Sequence, residues 1–445
     1  MFRPRLHTLG RSAILVTLLA AWCWANAAGF LDFIENRLID LRFQQRGERE
    51  SPVKLVYVDI DTDAIQQYKW PWNHARFAQI LDVLFRIGEV RAVGIDVVFS
   101  EFGRPDFGRE EQEAGRRQFG RAVREHGRVV LAANYVPGPG TIRPVRQFPF
   151  VFDGFTDPQG NDIPEGPGFP IVGPTWGTLG LIDTYRGETR AAPLFADTPA
   201  GTFHTLALQL ALHHWGLDAS AIQRFPDRVE VRRPDGTLAT SIPLRRGQLV
   251  EVNWFSRWQS SLNPRASVAD LGDYLTQLES DDPAKQARGR EFFAQFRDAI
   301  VLIGPVDVLL QDLNRTSFDE TPVPQVGVHG NLLKTFVSGE YLRHLPPGMN
   351  GALIVALALG AAALTGLGGR RALLAKVAAL GLLAAYAAVA FAVFSRFHLV
   401  LPLAAPVGAA LSTSFATLLW QVVEEQKQKR RIKGMFGTYL SPQLV

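Results

Sequence analysis

The chain has 445 residues, 47% of them hydrophobic, and a formal net charge of +4 at neutral pH. Its mean hydropathy of +0.03 averages a frankly apolar C-terminal part with an ordinary water-soluble part, which excludes both a wholly soluble and a wholly embedded protein. The pI near 9.2 does not point to nucleic acid, because much of the basic excess flanks the apolar runs and no basic patch interleaved with aromatics occurs.

The first element is an apolar run over residues 12–28 behind Arg3, Arg5 and Arg11. Ala25-Asn26-Ala27 imitates a signal-peptidase site, so cleavage is one reading. The reading adopted is an uncleaved anchor whose arginines stay in the cytoplasm. Both readings place residues 30–347 on the far side of the membrane. The only cysteine, Cys23, lies inside this first run, so the exported part stands on its own packing without disulfides.

Residues 53–59 read as a short apolar strand. Residues 73–88 read as an amphipathic helix: Phe77, Ile80, Leu81, Leu84 and Phe85 fall on one stripe, Asn73 is the N-cap and Gly88 the stop. Further strands are expected at 92–99 and 128–134 with a polar helix at 108–125 between them. This strand–helix alternation predicts parallel pairing through right-handed crossovers. Residues 136–177, dense in Pro and Gly, read as loops and short irregular strands. A helix at 204–215, a hairpin of 228–232 with 238–242 through Pro234-Asp235-Gly236, and a strand at 249–253 follow. A charged surface helix at 283–296, a buried strand at 299–304 and a last helix at 330–338 complete the exported part.

Three apolar runs, 351–367, 372–394 and 399–420, are each about the 20 residues a helix needs to cross roughly 30 Å of hydrocarbon. Arg370 and Arg371 lie between the first two, and Lys427, Lys429, Arg430, Arg431 and Lys433 follow the third; the intervening turn offers only Arg396 and His398. The bias predicts one topology, with both termini in the cytoplasm. Pro402 and Pro406 are expected in the first turns of the last helix, which then runs unbroken to a first stop at Gly434. The expected fold class is therefore an α/β domain on the periplasmic side plus an α-helical membrane region of one N-terminal and three C-terminal transmembrane helices. The expected divisions are 1–29 (anchor), 30–347 (exported domain), 348–420 (membrane helices) and 421–445 (cytoplasmic linker).

Asp59, Asp61 and Asp63 form an Asp-x-Asp-x-Asp run at a strand end. A calcium loop would need Gly and Glu where Ala64 and Trp70 stand. No metal site is expected, and the carboxylates are read as caps or as the lining of a cleft at the carboxyl ends of parallel strands. Trp70, Pro71 and Trp72 read first as core and turn; the alternative is a pair of rigid aromatics walling a pocket or dimer contact. Asp96 ends an apolar strand as Asp59 does, and with Asp183, Arg190 and Asp312 it completes the candidate cleft.

The strings Asp40-Leu41-Arg42-Phe43, 56–61, Trp70-Pro71-Trp72 and Gly94-Ile95-Asp96 together resemble the second class of CHASE domain, an extracellular sensor module found on cyclases and histidine kinases. The series continues in order through Gly180-Leu181 with Asp183, Thr189-Arg190, Val252-Asn253, 300–304, Asp312 and Gly327-Val328-His329-Gly330-Asn331. Such sensors are typically followed by three membrane helices. Residues 434–445, with Phe436-Gly437-Thr438-Tyr439-Leu440-Ser441-Pro442, resemble the lead-in to class III adenylate or guanylate cyclase domains. The resemblances imply the sensing and transmembrane half of a bacterial receptor cyclase in the inner membrane, a homodimer answering an extracytoplasmic ligand. Its output domain would lie beyond Val445. That domain would need Mg or Mn; this chain is expected to hold no cofactor, no catalytic core and no nucleic acid. A kinase output, or a stand-alone envelope-binding protein, are the alternative readings.

Overall fold

The computed structural model describes residues 3–97, 99, 108–133, 178–182, 184, 189–198, 201–245, 247–310 and 312–439. The Pro-rich stretch 136–177 and the candidate Asp183 lie outside the described residues. The chain forms two compact units, one of Met1–Arg46 with Arg343–Val445 and one of Gly47–Leu342.

The N-terminal part of the first unit is α1 (Arg3–Ala27) and α2 (Asp32–Arg46). The second unit begins with β1 (Leu55–Ile60), α3 (Thr62–Tyr68), α4 (His74–Arg86), β2 (Ala92–Ile95), α5 (Arg109–His126) and β3 (Val129–Ala133). It continues with β4 (Thr178–Leu181), β5 (Ala191–Pro193), β6 (Phe195–Thr198), β7 (Gly201–Thr205) and α6 (Leu206–Trp215). Next come β8 (Ile222–Arg224), β9 (Arg228–Arg232), β10 (Leu238–Pro243), β11 (Leu249–Glu251), β12 (Arg265–Ser267) and α7 (Val268–Leu278). Finally there are α8 (Pro283–Ala294), β13 (Ile300–Pro305) and α9 (Val326–Ser338).

One eight-stranded sheet, in the order β12-β1-β13-β2-β3-β4-β7-β6, organises this unit. Every pairing in it is parallel except β6 with β7. All six residues of β1 are buried, as are all four of β2, because helices cover both faces. One face packs Val58, Ile95, Leu131 and Ile303 against Phe77 and Leu81 of α4, Phe119 of α5 and Phe293 of α8. The α4 stripe arises as the sequence predicts: Asn73 Oδ1 accepts the Ala75 amide at 3.0 Å, and Phe77, Ile80, Leu81 and Leu84 are buried.

The other face carries α6 and α9 and uses glycine to bring helix and sheet together. A Cβ on Gly94 would lie 2.8 Å from Leu210, and one on Gly304 would lie 2.7 Å from Val326. The helix is small at its contacts as well. A Cβ on Gly327 would meet Trp258 at 2.9 Å, and one on Gly330 would fall 1.9 Å from the Tyr57 hydroxyl.

Several expectations are corrected. The strand expected at 92–99 ends at Ile95, and Asp96 already faces inward beyond it. The last helix begins at Val326 rather than 330, because its two glycines serve close packing instead of breaking the helix. β1 and β2 are not neighbours; β13, drawn from much later in the chain, lies between them. The helix at 283–296 is not purely a surface helix, since Phe293 and Gly289 are buried. The hairpin through Gly236 is as expected, with Gly236 at a φ of +83°.

The first unit is completed by α10 (Pro347–Thr365), α11 (Ala372–Phe397) and α12 (Ala404–Tyr439). Among the described residues, three segments are long and apolar enough to cross a membrane: Pro347–Thr365, Gly369–Phe397 and Ala404–Lys433. Gly10–Ala27 and Asp32–Arg46 qualify together as a pair bent by 73°. Pro402 lies outside the last helix rather than in it, because Leu399–Val400 pairs in parallel with Arg343–His344. Nor does that helix stop at Gly434; it continues to Tyr439.

Candidate functional site

Parallel strands converge their carboxyl ends on one edge of the sheet, and three neighbouring strands each deliver an aspartate there. Asp59 belongs to the end of β1, Asp96 follows β2, and Asp307 follows β13; each is less than 9% exposed. They are handled in three different ways.

Asp59 is an ion-pair partner. Its Oδ2 accepts from Arg265 Nε at 2.8 Å and Nη2 at 2.6 Å, in a part-buried setting. The guanidinium carbon lies 4.0 Å from the centre of the Trp258 ring, which in turn meets Tyr57 edge-on at 5.0 Å. Burial raises the Asp59 carboxyl to about 6, with Arg265 opposing the rise. Asp307 is a local brace: it accepts the Thr62 hydroxyl and, at 2.7 Å, the Leu309 amide.

Among the described residues Asp96 has no charge partner of that kind. Its amide extends the ladder to the Ile303 carbonyl at 2.7 Å, and its Oδ2 lies 3.6 Å from His329 Nε2 of α9. The two side chains are 3% and 2% exposed, and both Asp96 Oδ2 and His329 Nδ1 lack a hydrogen-bond partner among the described residues. Burial pushes the carboxyl up to about 7 and the imidazole down to about 4, so between those pH values the pair is held uncharged. Asp312 joins them: burial first, and then Asp96, raise its carboxyl to about 6 while His329 opposes.

The structure therefore brings Asp96 and Asp312 together with His329 and gives Asp59 its own partner. Asp61 is a cap, accepting the Ala64 amide at the start of α3 and the Ser267 hydroxyl at 2.8 Å. Arg190 sits in a turn; its carbonyl accepts the Val252 amide at 2.9 Å and its Nη1 donates to Ser317 Oγ at 3.3 Å. Trp72 is a core residue, edge-on to Trp70 at 5.0 Å and to Tyr68 at 6.0 Å, in the cluster built on α4. These aromatics adjoin a groove of about 350 Å³ lined in part by Tyr68, Arg76, Ile80, Val268 and Leu271. No group of three or more His, Cys, Asp or Glu able to hold a metal occurs among the described residues.

His329 and Asp307 were missed by sequence reasoning. The signal for Asp307 is a polar residue straight after an aliphatic strand, the same rule that selects Asp59 and Asp96. His329 is flanked by the glycines that let α9 approach the sheet. Farther along α9, the buried Lys334 donates to Asn263 Oδ1 at 2.7 Å and Ser256 Oγ at 3.4 Å, and burial lowers its ammonium to about 8. Asn331 accepts the Phe255 amide at 2.8 Å, and Asn253 Nδ2 donates to the Glu340 carbonyl at 2.7 Å. The Asn253 and Asn331 motifs thus fasten α9 to the segment beside it.

The sequence pattern that defines the CHASE2 domain matches residues 14–364. No curated protein and no solved structure matches the chain.

Proposed function

Because the chain belongs to the CHASE2 family of extracellular sensor domains, we propose that it is the sensing and membrane-relay half of a bacterial receptor adenylate or guanylate cyclase. A stimulus on the periplasmic side changes the packing of a homodimer in the inner membrane, and α12 carries the change to a cytoplasmic catalytic pair. The strand-end group of Asp59, Asp96, Asp312 and His329 is the part proposed to respond. Its Asp96 and His329 atoms, without hydrogen-bond partners among the described residues, suit a small ligand that both accepts and donates hydrogen bonds.

The observation that carries the relay is the length of α12, 36 residues without interruption. At about 1.5 Å per residue that is roughly 54 Å, against a hydrocarbon layer of about 30 Å, which leaves about 16 residues of helix beyond the bilayer. A continuous helix transmits rotation or displacement over that distance, whereas a loop would absorb it. The cyclase part of the reading is supported by the resemblance of residues 434–445 to a cyclase lead-in.

Grafting an active class III cyclase domain after Val445 tests both parts. The graft should place cyclic-nucleotide synthesis under the control of the exported domain, and inserting one to three residues at Lys429 should alter basal activity, since each residue rotates the helix by about 100°. If every insertion leaves basal and stimulated activity untouched, α12 is a tether and the relay is wrong.

A further inference from the structure

The first turn of α12 cannot cap itself. A helix N-terminus leaves backbone N–H groups without partners and carries partial positive charge. Yet residues 399–407 read Leu-Val-Leu-Pro-Leu-Ala-Ala-Pro-Val, with no Ser, Thr, Asp or Asn among them. The cap comes from α2 instead. Glu35 Oε2 accepts the amides of Leu403 and Ala404, both at 2.9 Å. Its other oxygen, Oε1, accepts from Arg42 Nη2 at 2.9 Å.

Arg42 is completely buried, and apart from Glu35 it has the face of Phe391 of α11 at 6.0 Å. Its Nε and Nη1 have no hydrogen-bond partner among the described residues. Next to it in α2, Phe43 meets Phe394 of α11 edge-on at 5.0 Å. Glu35 is therefore fixed at both ends, aimed by a buried guanidinium and holding the first amides of the 36-residue α12. The preceding helix grips the same partner lower down. Trp22 Nε1 donates to Ser412 Oγ at 2.9 Å, and a Cβ on Gly408 would lie 2.3 Å from the Trp22 ring.

The chain leaves α2 at Arg46 and enters the sensor unit at Gly47. We infer that Glu35 is the positioning residue that fastens the output helix to the stem of the sensor, so that a displacement of α2 reaches α12 directly instead of passing through α10 and α11. The inference rests on the reading of α12 as the relay. It assigns to Arg42 the task of aiming the carboxylate.

The test uses the full chain in lipid nanodiscs on a Cys23→Ser background. Spin-label pairs at Leu41→Cys with Leu411→Cys, and at Leu373→Cys with Lys427→Cys, report the two ends of α12. Glu35→Ala strands a buried cation and risks misfolding, so Glu35→Met with Arg42→Met, which removes both charges at similar volume, is the second variant. Amide exchange at Leu403 and Ala404 should accelerate by roughly fivefold on loss of the cap. The Leu41–Leu411 distances should broaden, and the Leu373–Lys427 distances should change as well. Unchanged exchange and Leu41–Leu411 distances would overturn the clamp. A lost clamp with unchanged Leu373–Lys427 distances would overturn the positioning role and leave Glu35 a local cap. Neither outcome bears on whether the sensor drives a cyclase, which the graft after Val445 decides separately.

Discussion

Asp96 and His329 face each other in the core with their charges suppressed, the carboxyl at about 7 and the imidazole at about 4. In the unfolded chain at about pH 4 to 6.5 both groups are ionised. The folded pair holds its one proton on the acid, and the unfolded pair holds it on the imidazole. The number of protons is the same, so the pair adds little pH dependence in that window. Removing either member unmasks the other. The folded pKa of Asp96 is raised, so its contribution is present below about pH 4 and lost as the pH climbs toward about 7. The folded pKa of His329 is lowered, so its contribution is present above about pH 6.5 and lost as the pH falls toward about 4.

Asp96→Asn should therefore gain stability with rising pH relative to wild type, and His329→Asn should lose it, each by about 1.4 kcal/mol per pH unit. A shift of about three units caps the Asp96 effect near 4 kcal/mol, and one of about two and a half caps the His329 effect near 3 kcal/mol. Asp312 also titrates in this range, raised in part by Asp96, so both variants are read as differences from the wild-type curve. Urea unfolding of residues 47–342, followed by tryptophan fluorescence between about pH 4 and 8, gives the curves directly. Difference curves without opposite slopes, or an Asp96→Asn variant destabilised equally at every pH as though an ion pair had been broken, would refute the neutral-pair reasoning.

Two further outcomes follow from packing. Gly330→Ala puts a methyl 1.9 Å from the Tyr57 hydroxyl and should cost about 1–3 kcal/mol, part of it recovered by adding Tyr57→Phe, which removes the hydroxyl but leaves the ring carbon 2.7 Å from the methyl; a neutral single variant in urea melts would show that α9 is not held against β1. Residues 47–342 alone should give a monodisperse, cooperatively unfolding protein under reducing conditions, since their unit has its own core and the only cysteine is Cys23. Aggregation that only residues 1–46 and 343–445 relieve would show that the core is shared.

How much of this was legible in the sequence depends on whether a residue's role is set by its neighbours or by distant parts of the chain. The stripe on α4, its Asn73 cap and the hairpin at Gly236 are local, and periodicity and turn chemistry give them almost to the residue. The helix α2 was not read at all. Its exposed Phe33, Ile34 and Leu41 share a face with Arg37, Gln44 and Gln45, so no clean amphipathic stripe announces it. Its buried face makes sense only once Leu403 and Phe394 are beside it.

The site divides in the same way. Asp59 and Asp96 could be picked out because each closes an apolar strand, and strands in a parallel sheet end on the same edge. What each carboxylate does there is fixed by sheet order, which no local pattern encodes. β12 joins the sheet beside β1 and brings Arg265 to Asp59, turning it into an ion pair. β13 enters between β1 and β2, and the helix that follows it brings His329 to Asp96, where no opposing full charge stands among the described residues. Two aspartates with the same local signature thus acquire opposite electrostatic tasks from residues more than 200 positions away. Exchanging their surroundings, not their sequence neighbours, is what would exchange their chemistry.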